Sequence, residues 1–377
     1  MALPQTPHEH QNTVALGEAP SEELISLLSH RPFYHGGGMI QITEPAKKSS
    51  NWRKSTSSLG RLDDLPLELL HSTFALLDFK SLSHVSRACI RGIEVVNSLP
   101  EYRDLMLYAP EALAALGKTR LIRHHPAANI RLALLSADCK LCSRYGAYLY
   151  LPTCERCCYH CLWKNQILWL MTIATAKKCF VLSAAGVKTL PVLRSMPGGE
   201  YKVGKYPISR RRPIGLVSVG TAMKLAIAEG VSEEDMATMT GIYFGTDGGV
   251  HEKYYEYYRF LHKTRITPPQ QELWLQQTKQ EPPKDRYCGM GSLPFPSLSP
   301  EKHVEHGLWC KGCALVSREW SPNDPIPEHL AHLVLPGSQP QYVICHYEEI
   351  PRSKAEFLAH VRECTGAKKL LQQAKAL

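Results

Sequence analysis

Apolar residues recur at Leu69, Leu70, Phe74 and Leu77, then, past a break at Asp78, at Leu82, Val85, Cys89, Ile93 and Val96. Intervals of three and four put each series on one helical face, so Arg61 to Leu107 predicts a helical hairpin with a leucine core. Asp64 ahead of Pro66 signals the first helix start, and Asn97 to Pro100 stops the second. Helical patterns resume after Pro110 (EALAALGKTRLI) and after Pro126 (AANIRLALL). Ile167 to Ala176 is the longest apolar stretch. It falls well short of the ~20 residues a bilayer requires and reads as a buried helix, so no membrane association is expected. The β-branched and small residues from Phe180 to Leu193 fit a strand or two, and Val217 to Gly230 reads as a helix.

Other stretches lack such periodicity. Residues 1 to about 60 are polar and small, with Gly36-Gly37-Gly38 and the Lys47 to Ser58 run, and read as a disordered tail. Within it only Ser21 to Leu28 (SEELISLL) has a helical pattern, with Ser21 as N-cap, and it reads as a transient helix. Pro268-Pro269, Pro282-Pro283, Pro294, Pro296 and Pro300 mark a linker or extended loop. These patterns divide the chain at 1–60, 61–107, 108–200, 201–300 and 301–377. The fold class they imply is mainly α, with small irregular α+β modules.

The chain has 377 residues, 44% of them hydrophobic, and a formal net charge of +9. A buried core is affordable, and a surface for an acidic partner or nucleic acid is permitted without being demanded. Thirteen cysteines raise the question of a secreted disulfide scaffold. The odd count, the chain length and the absence of a signal-peptide pattern over Met1 to Pro20 argue instead for a reducing compartment, cytoplasmic or nuclear.

Six of those cysteines lie in CKLCSRYGAYLYLPTCERCCYHC, Cys139 to Cys161. A Cys-x2-Cys turn wraps one side of a metal ion, and two such turns complete a closed tetrahedral zinc site. Cys139 and Cys142 form one half. Pairing them with Cys158 and Cys161 leaves fifteen intervening residues, whereas Cys154 and Cys157 would leave eleven. The longer spacing falls within the usual interval, so Cys139, Cys142, Cys158 and Cys161 are the expected ligands, with Cys154 and Cys157 as buried thiols or substitutes. A second candidate begins at Cys310-Lys-Gly312-Cys313. Much later, His360 and Cys364 stand four apart, on one face of a helix that Ser353 and Glu356 would cap. Although 46 residues separate Cys313 from His360, the set Cys310, Cys313, His360 and Cys364 has the composition of a structural zinc site. Cys345, His346, His329 and His332 compete as ligands. One or two structural Zn2+ ions per chain are expected.

Leu65-Pro66-x-Glu68-Leu69-Leu70, Leu76-Leu77 and Leu82-x2-Val85-Ser-Arg87 together resemble an F-box over about Arg61 to Leu107. Ser81 departs from the acidic residue many F-boxes carry there, and no tryptophan follows Val85. Combined with the cysteine cluster and LPVLRSMPG at Leu190 to Gly198, the chain is similar to a group of fungal F-box proteins of unassigned substrate. That resemblance implies docking of a Skp-type adaptor through Leu65, Pro66, Leu69, Leu70, Leu82 and Val85. It further implies membership of a cullin-RING ubiquitin ligase, with the zinc-stabilised C-terminal region recruiting a protein substrate. No catalytic constellation stands out: His-Glu-x2-His is absent, and so is the His-x-Glu that a zinc deaminase needs before Pro152-Thr-Cys154-x2-Cys157. The expectation is a non-enzymatic recruiting subunit. A zinc-dependent nucleic-acid-binding or regulatory protein, using the basic loop Lys202 to Arg212 and the terminal finger, is the alternative.

Overall fold

The computed structural model describes residues 21–30, 39–40, 42–47, 58–196, 202–203, 206–207, 213–232, 287, 289–334 and 340–375. The chain is mainly helical with several small sheets. It divides into two compact units. One comprises Pro32–Gly307 and Glu349–Ser353; the other combines Met1–Arg31, Leu308–Glu348 and Lys354–Leu377.

The first helix in the chain, α1 (Ser21–Leu28), belongs to the second unit. It differs from the expected tail because Leu24 and Leu28 are buried. Residues 245–249 and 254–258 lie outside the described residues, as does most of the 202–212 basic loop.

In the larger unit, Pro66 precedes α2 (Leu67–Phe74), and Asp78 starts α3 (Phe79–Ala88) by accepting the Ser81 backbone N–H at 3.0 Å and its hydroxyl at 2.6 Å. Ser81 thus serves the cap. The expected single helix through Val96 is instead two. Cys89 is extended, and its Sγ accepts the Gly92 N–H at 3.2 Å to start α4 (Ile90–Ser98). A Cβ on Gly92 would stand 2.4 Å from the Val85 carbonyl oxygen, so only glycine permits this approach of α3 and α4. Proline then opens each of α5 (Pro100–Tyr108) and α6 (Pro110–Lys118), where a missing N–H costs nothing. α7 (Ala127–Leu135) follows Pro126. Buried Asp104 on α5 accepts from Arg131 Nε on α7 at 2.9 Å and from Lys302 Nζ at 3.1 Å.

Beyond α7, the strand Tyr148–Tyr150 is central in a three-stranded antiparallel sheet, flanked by Glu155–Cys157 and Ser292–Pro294. α8 (Tyr159–Lys164) follows Cys158. The apolar stretch expected as a buried helix is a strand, Leu170–Thr172, and then α9 (Ile173–Cys179). Thr172 Oγ1 accepts the Thr175 N–H at 3.1 Å and so caps α9. That strand pairs with Gly215–Ser218, whose other edge holds Leu193–Arg194. Between them lies α10 (Ala184–Val187), where only strand was expected. α11 (Val219–Ala228) closes a separate core containing Trp169, Phe180, Leu190, Val217 and Ala222. No described helix is long and apolar enough to cross a membrane.

Candidate metal centres

The hairpin formed by Tyr148–Tyr150 and Glu155–Cys157 carries the chain back so that Cys158 and Cys161 meet Cys139 and Cys142. Cys139 and Cys142 sit in a tight turn, closed by the Ser143 N–H on the Cys139 carbonyl at 2.9 Å, with Ser143 in the left-handed region at φ 58°. The other pair is geared to a helix start: Cys158 Sγ accepts the Cys161 N–H at 3.3 Å at the N-cap of α8. Buried Arg156 braces this arrangement. It donates to the carbonyls of Ala133 at 3.0 Å, Phe295 at 3.2 Å, Gly146 and Pro296, and its guanidinium lies 5.0 Å from the Phe295 ring centroid. A Cβ at Gly146 would fall 2.5 Å from Arg156 Cγ and 2.9 Å from the Cys139 nitrogen. Glycine there lets the arginine pass beneath the first knuckle.

The second centre is assembled from distant parts. Cys310 ends the strand Trp309–Cys310, and Cys313 lies in the first turn of the knuckle helix, Lys311–Glu319. The ligand helix, Lys354–Glu363, presents His360, with Cys364 one turn on at its end. Phe357 and Val361, on the same face, are fully buried against Leu24 and Leu28 of α1. Just after α1, Ser29–His30 pairs antiparallel with Trp309–Cys310, so the strand bearing a ligand is hydrogen-bonded to a segment far earlier in the chain. The knuckle helix packs closely on the terminal helix, Thr365–Lys375, at two glycines. A Cβ on Gly312 would meet the Ala367 nitrogen at 2.2 Å, and one on Gly366 would meet the Gly312 carbonyl oxygen at 2.1 Å.

In each group of four, the potential ligand atoms all lie within 4.8 Å of one another. Cys142 and Cys158 sulfurs are 3.6 Å apart; Cys364 Sγ stands 3.9 Å from both Cys310 and Cys313, and Cys313 Sγ is 3.1 Å from His360 Nε2. Sulfurs at tetrahedral corners ~2.3 Å from a zinc ion would be about 3.8 Å apart, whereas a disulfide requires ~2.05 Å. The spacing therefore fits a shared cation, and all twelve described cysteines are free thiols. Hydrogen bonds from Cys158 and Cys161 hold Cys139 far below the ordinary thiol range, while the same contacts push Cys158 up. Cys313 and Cys364 likewise hold Cys310 down, and Cys313 is driven up. Four crowded thiolates at the first centre, or three at the second, repel one another, and a central dication would remove that penalty, with proton release on binding.

Both ligand sets expected from spacing are therefore brought together. Cys154 and Cys157 stay outside the first centre as fully buried thiols pushed up by desolvation; the Cys154 thiol faces the Leu151 carbonyl at 3.7 Å. Cys345 is exposed, with the Ser317 hydroxyl directed to it. His329 contributes no ligand atom, although its ring centroid lies 6.0 Å from that of His360 and both pack with Tyr347. Sequence reasoning missed Arg156 and the place of α1; the only signal for the latter was the apolar pair Leu24 and Leu28.

The expected docking residues separate by exposure. Leu65 and Leu69 are exposed at 37% and 53%, Pro66 is exposed and Val85 is half-buried. Leu70 and Leu82 are fully buried. Those two side chains are used by the hairpin core. No protein-family model, curated protein or solved structure matches the chain.

Proposed function

We propose that this chain is a non-catalytic recruiting subunit of a cullin-RING ubiquitin ligase, held in shape by two structural zinc ions. The observation that carries the reading is a row of exposed apolar side chains at the start of the larger unit. Leu62, Leu65, Leu67, Leu69 and Leu76 are 37–71% exposed, interleaved in the sequence with the buried Leu70 and Phe74. A cluster of exposed leucines at one short helix is costly in water and suits a surface covered by a partner helix. The F-box-like order of residues assigns that partner as a Skp-type adaptor. Leu65, Pro66 and Leu69, with Leu62 and Leu76, form its docking face; Leu70 and Leu82 support that face from below.

Zinc is the preferred ion because one set of four cysteines, three of them buried, and another of three cysteines and a histidine offer soft, fourfold donors and no open position. Such closed centres stabilise a fold and leave no site for a hydrolytic water. The substrate surface is placed on the zinc-stabilised part of the chain, as the resemblance implies.

An adaptor pull-down tests this. The natural chain should retain a Skp-type adaptor, and Leu65→Asp with Leu69→Asp should abolish retention while leaving zinc content and helicity unchanged. Retention by that double variant, or no adaptor recovered from cells with the natural chain, rejects the reading.

A further inference from the structure

The helical part of the larger unit contains a cavity of about 360 Å3 that neither the metal centres nor the exposed leucines use. Phe79 and Tyr102 line it as a stacked pair, with centroids 4.8 Å and planes 8° apart. Met106 and Leu113 extend this apolar wall. The opposite character prevails elsewhere: Lys47, Lys80, His84 and Arg87 all line the cavity, and no carboxylate does.

Three of these basic residues come from α3 at positions i, i+4 and i+7, one face of the helix. The Lys80 and Arg87 cations thus share one face with the imidazole of His84 between them. Among the described residues, no carboxylate forms an ion pair with any of the four. Arg87 is nevertheless oriented, because its Nε donates to the Ser83 carbonyl at 3.0 Å and leaves the fork of outer N–H groups for another acceptor. Tyr102 is tied down by a hydrogen bond with Ser86, a buried serine that also lines the cavity. Cations of one sign are thus gathered at a cavity with an aromatic wall.

We propose that this cavity binds a small phosphate monoester carried on a flat apolar body. A phosphate monoester has close to two negative charges at neutral pH and accepts several charge-assisted hydrogen bonds, which matches Arg87, Lys80, Lys47 and His84. The body packs against the apolar wall that Phe79, Tyr102, Met106 and Leu113 give the cavity, where a planar group fits with the aromatic pair. A polynucleotide would call for a basic track along the surface with exposed aromatic platforms. Here the aromatic pair is nearly buried, and the site is a single cavity. The inference is independent of the adaptor reading, since no docking leucine lines the cavity.

Titration calorimetry on the full-length chain, its metal content verified, provides the test, with phenyl phosphate as probe and inorganic phosphate and phenol as comparisons. Phenyl phosphate should bind at one saturable site at least about tenfold more tightly than inorganic phosphate, and phenol should give no saturable binding. Lys80→Gln with Arg87→Gln, both at solvent-accessible positions, should weaken phenyl phosphate at least about tenfold without changing metal content. Phe79→Leu should narrow the gap between phenyl phosphate and phosphate. Equal affinity for the two anions would mean an adventitious ion only and overturn the proposal, as would unchanged binding by the double variant or no saturable binding at all. Loss of adaptor retention would leave this result untouched.

Discussion

Arg156 is sealed from water and forms no ion pair among the described residues, and four backbone carbonyls accept from its guanidinium. Burial lowers its pKa to about 10, so it remains a cation at neutral pH. Arg156→Met keeps much of the volume but strands those carbonyls, each worth ~1–3 kcal/mol when buried without a donor. The variant should lose on the order of 3 kcal/mol in denaturant unfolding and bind metal at the first centre more weakly; a loss within experimental error would show that water substitutes freely. His125 offers a pH test. Burial first, and then the neighbouring His124, lowers its pKa from 6.5 to about 4. The folded state therefore resists a proton that the unfolded chain accepts. Stability is complete above pH 6.5 and declines as pH falls from 6.5 toward 4. Unfolding midpoints measured from about pH 7.5 to about 5.5 should drop more steeply in the natural chain than in His125→Gln.

At the scale of elements, two glycines set how closely the knuckle helix and the terminal helix pack, and this in turn positions Cys313 against Cys364. Gly312→Ala should force the backbones apart and displace a ligand. Zinc affinity at the second centre should fall by at least about tenfold, with the first centre unaffected in a chelator competition. α1 is equally necessary to this module. Leu28→Asp places a charge in a fully buried position beside Phe357 and Val361, so a loss of ~3 kcal/mol or more is expected in that unit's unfolding transition. Elements differed in how far they could be read from the sequence. Cys-x2-Cys turns and the His360–Cys364 spacing encode their own local geometry, so the ligand sets were legible despite the long gap and the six competing cysteines and histidines. The apolar series at Leu82 to Val96 identified a helical face but concealed the break at Cys89, because both helices continue the same stripe. A short apolar run reads alike as strand or buried helix, which explains Leu170–Thr172. Leu24 and Leu28 indicated a helix without indicating what it packs against. Arg156 binds main-chain oxygens, which carry no residue identity and leave no sequence signal.

For the whole molecule, two units with separate ligand sets predict additive metal content. Elemental analysis should return two zinc ions per chain, and one each for Cys142→Ala and Cys364→Ala. If either substitution removes both ions, the centres are not independent; a fully folded chain without zinc would discard the metal assignment. The two substitutions should also have different consequences, since the exposed leucines belong to the unit that holds the first centre.

The pairing of Ser29–His30 with Trp309–Cys310 has a consequence for how the protein is made. On the ribosome, α1 and its strand emerge first, and their partners follow about 280 residues later, roughly 15–60 s at ordinary elongation speeds. The helix Thr365–Lys375, which packs against the knuckle, is made later still. Throughout that interval Leu24 and Leu28 have no native cover, and Cys310 has not been made. Synthesis should therefore yield a nascent chain in which the helices and metal-ligand pairs of residues 58–232 can already fold while the segment at 21–30 still depends on chaperones. Ribosome-bound chains stalled before and after Cys364 should differ sharply in protease resistance at residues 21–30, and zinc should be required for that change.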